Sequence, residues 1–230
     1  MQRPQNSTIP KEAYDADMAE GLRERKKRQT RQRISDMATG LFLERGFDAV
    51  TVAEIAEVCD VSVNTVYNYF PAKEDLFLDR SAGLVDRLAR FVRGRGAGES
   101  AAAAVLRELR EQVEAVSPTV GLVQGYDRFM RVIEGSATLK ARLWHLQQEQ
   151  LTRLEETLRQ EAGAAADDWL PLMVAGQLNW VHSTLMGYIG REMMTGRAPD
   201  EVSREALALL DDLEDALGGK VLNYAVRAGG

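Results

Sequence analysis

Between Ser62 and Phe70 the sequence reads SVNTVYNYF. On a helix, Val66 and Phe70 are four residues apart and share one side, which the apolar spacing marks as buried. Asn64, Thr65, Asn68 and Tyr69 then face away from it. An Asn amide donates and accepts in the bidentate pattern of an adenine edge, and a threonine methyl matches the methyl of thymine. These side chains, with Ser62 and Val63 at the helix start, are suited to base edges and phosphates in a DNA groove.

The flanking residues position that face. Ser62 is an N-cap, with Val61 and Val66 spaced as a hydrophobic staple. Upstream, Thr51-Val52-Ala53-Glu54 reads as a capping box, and Val50 and Ile55 form another staple. Val52, Ile55, Ala56 and Cys59 mark the buried side of a helix with room for about two turns before Asp60 and Val61. Cys59 is expected in the core, since no neighbour in sequence would lower its pKa. Two short helices joined by about three residues have helix-turn-helix spacing, with the second helix placed in the major groove. Any α-hairpin shares that spacing, but a basic run immediately upstream supports the DNA reading. Arg23, Arg25, Lys26, Lys27, Arg28, Arg31 and Arg33 are opposed there only by Glu24. That run reads as a groove-tracking arm, against the plainer alternative of a solvated charged face.

Helical signals continue on both sides. Ile34, Met37, Ala38, Leu41 and Phe42 predict one buried stripe of a helix over Arg25 to Arg45, ended by Gly46 with Phe47 folding back on Phe42. Pro71 opens a fourth helix, with Glu74 and Asp75 in its first turn and Phe77, Leu84, Leu88 and Phe91 along it. This helix is expected to run unbroken over residues 72–93, as a rigid rod between the two parts of the chain. Gly94, Gly96 and Gly98 then mark a boundary. Five further helices are expected over 101–116, 120–134, 139–161, 169–195 and 202–217. The expected organisation is all-α, with about nine helices. It has a disordered leader (1–22), a helix-turn-helix head (23–71), a connecting helix (72–93), a larger domain (94–217) and a frayed tail (218–230).

Thr51-Val-Ala-Glu-Ile-Ala, Val61-Ser62, Thr65, Tyr67, Tyr69-Phe70, Lys73 and Leu76 together resemble the DNA-binding head of the tetracycline-repressor (TetR) family. The match covers about the first third of the chain by motif, and the remainder agrees in helix count and order. The resemblance implies a homodimer on an inverted-repeat operator, usually a repressor, released when a small molecule enters the larger domain. It also implies that Tyr67, Tyr69 and Lys73 hold phosphates. Thr51 would do so too, from a helix N-terminus. For Tyr67 the alternative is a core aromatic with an exposed hydroxyl. Asp60 stands where the family often has glycine, although Asp tolerates a left-handed turn better than most residues.

The rest of the chain supplies the assembly and ligand readings. The 169–195 segment is apolar nearly all round, so one side is expected against its own domain and another against a partner subunit, with 202–217 as a second seam. Tyr126, Phe129, Met130, Trp144, Gln147, Asn179, Trp180 and His182 combine aromatic surface with scattered polar groups, as a pocket for an amphipathic or aromatic effector would. Taken singly, each is equally at home in ordinary packing. The other regulatory reading is a dimer controlled by a protein partner or by abundance, with no effector.

The formal net charge of −6 is acidic overall, so the basic arm stands out against an acidic body. One cysteine and two histidines form no metal-ligand spacing, and no phosphate loop, nucleophile elbow or cofactor motif appears, which disfavours an enzyme. No signal peptide or membrane span is expected, and the single cysteine fits the cytoplasm.

Overall fold

A computed structural model of the chain describes residues 11–79 and 83–229, with side chains from residue 23 onward. The described residues are helices and connections without a strand, and they divide into two compact units that meet in sequence at Phe77 and Leu78.

The first unit holds α1 (Lys11–Arg45), α2 (Val52–Val58), α3 (Val63–Tyr69) and α4 (Lys73–Phe77). Its core is Ile34, Ala38, Phe42, Phe47, Val50, Ile55, Ala56, Cys59, Val66, Phe70, Leu76 and Phe77. Each large apolar side chain buried here contributes about 1.5–3 kcal/mol. Gly46 ends α1 with φ +84°, and the Phe42 and Phe47 ring centroids lie 4.9 Å apart, which is the apolar contact of a Schellman end. At the end of α2, Asp60 takes φ +51°, while its N–H reaches the Glu57 carbonyl and that of Val61 reaches Ala56. The aspartate therefore does the work of a glycine.

Two expectations for this unit are corrected. Met37 is 41% exposed, because the buried side of α1 runs through Ile34, Ser35, Ala38 and Phe42, and Ser35 donates its hydroxyl to the Leu76 carbonyl. Residues 11–22, expected as a disordered leader, belong to α1; Glu12, Ala13, Ala16, Met18 and Ala19 all favour helix without needing an apolar stripe. Residues 1–10 lie outside the described residues.

The second unit holds α5 (Leu84–Arg93), α6 (Ala101–Glu114), α7 (Tyr126–Glu134), α8 (Ala137–Ala162), α9 (Leu170–Met194), α10 (Pro199–Asp215) and α11 (Gly219–Leu222). One apolar cluster joins Leu88 and Phe91 of α5 to Leu109 of α6, Leu154 of α8, Leu185 of α9 and Leu210 of α10.

Three further expectations change here. The single helix over 72–93 is two helices, since α4 ends at Phe77 and α5 starts at Leu84 behind Gly83. Leu78 and Asp79 already lie outside α4, and glycine costs a helix interior about 1 kcal/mol relative to alanine. No unbroken rod exists. The helix expected from Val120 starts at Tyr126, because Gly121 and Gly125 hold φ +87° and +83°, outside the helical region. The tail expected to fray is tied down instead. The Gly98 N–H donates to the Arg227 carbonyl (2.9 Å), and the Arg227 N–H donates to the Glu99 carbonyl (3.0 Å). The Arg227 guanidinium also reaches the carbonyls of Arg95 (2.7 Å) and Arg93 (2.8 Å).

Candidate nucleic-acid interface

The turn between α2 and α3 is built from local caps. Thr51 Oγ1 accepts from the Glu54 N–H at 3.2 Å, and Glu54 Oε2 accepts from the Thr51 N–H at 2.7 Å, which completes the capping box. Arg45 closes on Glu54 at 2.7 Å and fastens the end of α1 to the start of α2. The Arg45 guanidinium and the two Thr51 donors lower the Glu54 pKa to about 2. Ser62 Oγ accepts from the Thr65 N–H at 3.0 Å and lies 2.8 Å from the Thr65 hydroxyl.

That cap points α3 outward. Val66 and Phe70 are fully buried, while Ser62, Val63, Asn64, Tyr67 and Asn68 are exposed and Thr65 and Tyr69 are half-buried. Tyr67 is 48% exposed, so it is not a core aromatic. With the Thr65 hydroxyl engaged by the cap, the two Asn amides are the bidentate-capable groups on this face. Thr51 is exposed at the start of α2, beside the same turn.

The basic residues divide into two sets. Arg25, Lys26, Lys27 and Arg28 are exposed along α1. Arg31 Nη1 instead donates to the Tyr69 carbonyl at 2.6 Å, with its guanidinium 4.4 Å from the Phe70 ring centroid, and Arg33 Nη2 donates to the Cys59 carbonyl at 2.9 Å. Both cations sit at the C-terminal ends of short helices, where the outgoing carbonyls are partly negative. Lys73 is likewise turned into the unit, donating to the Phe47 carbonyl at 2.6 Å with Nζ 4.3 Å from that ring centroid. Cys59 is buried, and desolvation raises its thiol pKa, as a core cysteine requires.

The residues expected around an effector separate as well. His182 is 4% exposed, and burial, followed by the charge of Arg87, lowers its pKa to about 4. Tyr126 is half-buried, with a phenol pKa raised by desolvation, and its ring lies 6.4 Å from that of Phe129. Met130 and Asn179 are half-buried too. Trp144, at 62%, Trp180, at 44%, and Gln147 stand on the surface of the chain and do not line its interior. Sequence reasoning passed over Gln150, which is 1% exposed and lies on the stripe of Leu146, Leu154 and Leu158; that spacing was its available signal. Among the described residues no His, Cys, Asp or Glu side chains gather as a metal site, and no helix is long and apolar enough to cross a membrane.

A capped helix pair that exposes one amide-rich face beside a basic helix defines a helix-turn-helix DNA-binding regulator. Residues 34–79 match the family model described as bacterial regulatory proteins, tetR family. The chain is 29% identical over 153 residues to the HTH-type transcriptional regulator TcmR of Streptomyces glaucescens, covering 64% of this chain and 67% of that protein. It is 31% identical over 86 residues to the HTH-type transcriptional repressor KstR of Rhodococcus jostii, covering 37% of this chain and 39% of that protein. The fold is similar to the crystal structure of native NalD, the secondary repressor of the MexAB-OprM multidrug efflux pump in Pseudomonas aeruginosa. That likeness has a TM-score of 0.55 at 19% identity, over 84% of this chain and 98% of the other.

Proposed function

We propose that the chain is a repressor that binds an inverted-repeat operator as a homodimer and leaves it when a small molecule occupies the second unit. The observation that carries this reading is the split character of α3: Val66 and Phe70 are locked in the core while Asn64, Tyr67 and Asn68 stand exposed. Base reading falls to Asn64, Asn68 and the methyl of Thr65, with Val63 beside them. Phosphates fall to Arg25, Lys26, Lys27, Arg28, Thr51, Ser62, Tyr67 and Tyr69. Arg31 and Lys73 act at one remove, by holding the reading helix and the turn after α1 in place.

Pairing of two copies is supported by α9. Its inner side is Val174, Leu178, Val181, Leu185 and Ile189, all fully buried. Its outer side runs through Trp169, Leu172, Gly176, Trp180, Ser183 and Met194, every one exposed in the single chain. Apolar and small residues alternating along one helix suit close packing against a second copy, with α10 alongside.

The experiment is footprinting on genomic fragments selected by the purified protein. The expected protection is two-fold symmetric, with half-site centres about 34 Å apart. Protection indifferent to sequence, or confined to one half-site, overturns the reading.

A further inference from the structure

Two buried polar side chains of the second unit, Gln150 and His182, and one half-buried arginine, Arg87, stand out. Gln150 sits on α8 between Leu146 and Leu154, and its Nε2 is buried with no hydrogen bond. His182 sits on α9 between Leu178 and Leu185, and its Nε2 is also buried with no hydrogen bond. Arg87 lies one turn before Phe91 on α5, half-buried, with its pKa lowered by desolvation and then by the charge of Arg90. Arg93 reaches Thr157 at 3.4 Å, and α5 packs along α8. The charge of Arg87 also reaches His182. α8 packs against both α5 and α9, so the three groups lie on adjoining helices.

Leaving buried donors unpaired costs about 1–3 kcal/mol each, and more for a charged group. Elsewhere in the unit, the Tyr224 hydroxyl apart, such groups are satisfied: Arg95 has Glu161, Ser203 has the Val113 carbonyl, and Thr157 has that of Arg153. The unpaired set consists of an amide N–H group, a guanidinium and an imidazole nitrogen that donates in one of its tautomers. Among the described residues no acid pairs with the guanidinium, so the set lacks negative charge.

We propose that the second unit binds an organic anion, an apolar or aromatic body ending in a carboxylate, with Arg87 as counter-ion and Gln150 and His182 as the remaining donors. Tyr126 and Phe129 lie on α7, which packs against both α8 and α9. The proposal rests on the reading that this unit holds an effector, and it fixes the sign of the effector's charge. A cationic effector would meet Arg87 unscreened, and a neutral one would leave the guanidinium desolvated without a partner.

The full-length protein is titrated with pairs that differ only in charge, naphthoate against naphthamide and decanoate against decanamide, reading melting temperature and operator binding. The acids are expected to raise the Tm and weaken operator binding, and the amides to do neither. Arg87→Met should weaken acid binding by at least about tenfold. The same variant should raise the Tm of the ligand-free protein, because it removes an uncompensated charge. Amides that act as well as the acids overturn the anion assignment and leave an effector site standing. If neither class binds while operator binding is intact, the assignment and the effector reading fall together. A ligand-free Tm lowered by Arg87→Met would make Arg87 a structural residue and also overturn the proposal.

Discussion

Arg31 and Tyr69 are joined through the backbone: Arg31 Nη1 donates to the Tyr69 carbonyl at 2.6 Å while the guanidinium covers the Phe70 ring. The last residue of the reading helix is thus clamped to the helix that bears the basic arm. Arg33 does the same for α2 through the Cys59 carbonyl. Within one run of basic residues, some cations are spent on the fold and others are left for phosphate.

This division predicts two kinds of mutant. Arg31→Ala should destabilise the head by about 1–2 kcal/mol, from a charged hydrogen bond and a cation–π contact in a partly exposed setting. Lys26→Ala should leave stability within about 0.5 kcal/mol but weaken specific and non-specific DNA binding alike, with the salt slope reduced by about 0.9. Urea unfolding and binding isotherms at several salt concentrations check both. Equal behaviour of the two variants would contradict the division.

The exposed amides behave differently again. Asn64→Ala or Asn68→Ala should lose roughly 1–3 kcal/mol at the cognate operator and little on random DNA, because a bidentate base contact is sequence-specific. Neither residue is buried, so the melting temperature should hold. Competition binding with single-base operator variants would locate the bases each residue reads.

The head was legible in the sequence wherever its structure is local. Thr51 and Glu54 lie three residues apart, as do Ser62 and Thr65, and Phe42 meets Phe47 across one glycine. A pattern within a few residues encodes each of these. What escaped depends on partners far along the chain. Lys73 and Arg31 look like phosphate ligands until the Phe47 and Tyr69 carbonyls are seen beneath them. The stripe from Phe77 to Leu84 counts as one helix only if the residues between are ignored. Trp144 and Trp180 read as pocket walls because aromatic residues usually seek cover, and nothing local says that their helix faces point away from the chain's own core.

The C-terminal tail gives the clearest non-local case, and a test. Truncation after residue 217 removes buried Val221, the backbone bonds of Arg227 to Gly98 and Glu99, and the Ala225 carbonyl that accepts from Arg95 at 2.9 Å. Arg95 is almost wholly buried, so losing that acceptor leaves part of a guanidinium unsatisfied. The expected loss is about 2–4 kcal/mol in the unfolding of the second unit, with the head transition unchanged. A truncated chain of wild-type stability would show that the tail is dispensable.

His182 makes the stability of the second unit depend on pH in a window separate from the carboxylates. Its pKa is lowered from 6.5 to about 4, chiefly by burial and then by the charge of Arg87. Between those values the unfolded chain takes up a proton at this site that the folded chain refuses. Stability contributed by the neutral imidazole is therefore full above about pH 6.5 and is lost as pH falls toward 4, with a limiting slope of about 1.4 kcal/mol per pH unit. Glu54 and Glu205, both held near pKa 2 by arginine hydrogen bonds first of all, lose their contributions only below the ordinary carboxylate value of 4.5. His182→Phe keeps an aromatic ring of similar size, removes the unpaired Nε2 and cannot be protonated. Urea unfolding from pH 7 to pH 5 should then show wild-type stability declining while the variant stays flatter, so the two lines converge or cross on the acid side. Parallel lines over that range would mean that His182 is protonated as easily in the folded chain as in the unfolded one, and that its burial among Leu178, Val181 and Leu185 is not the environment it experiences in solution.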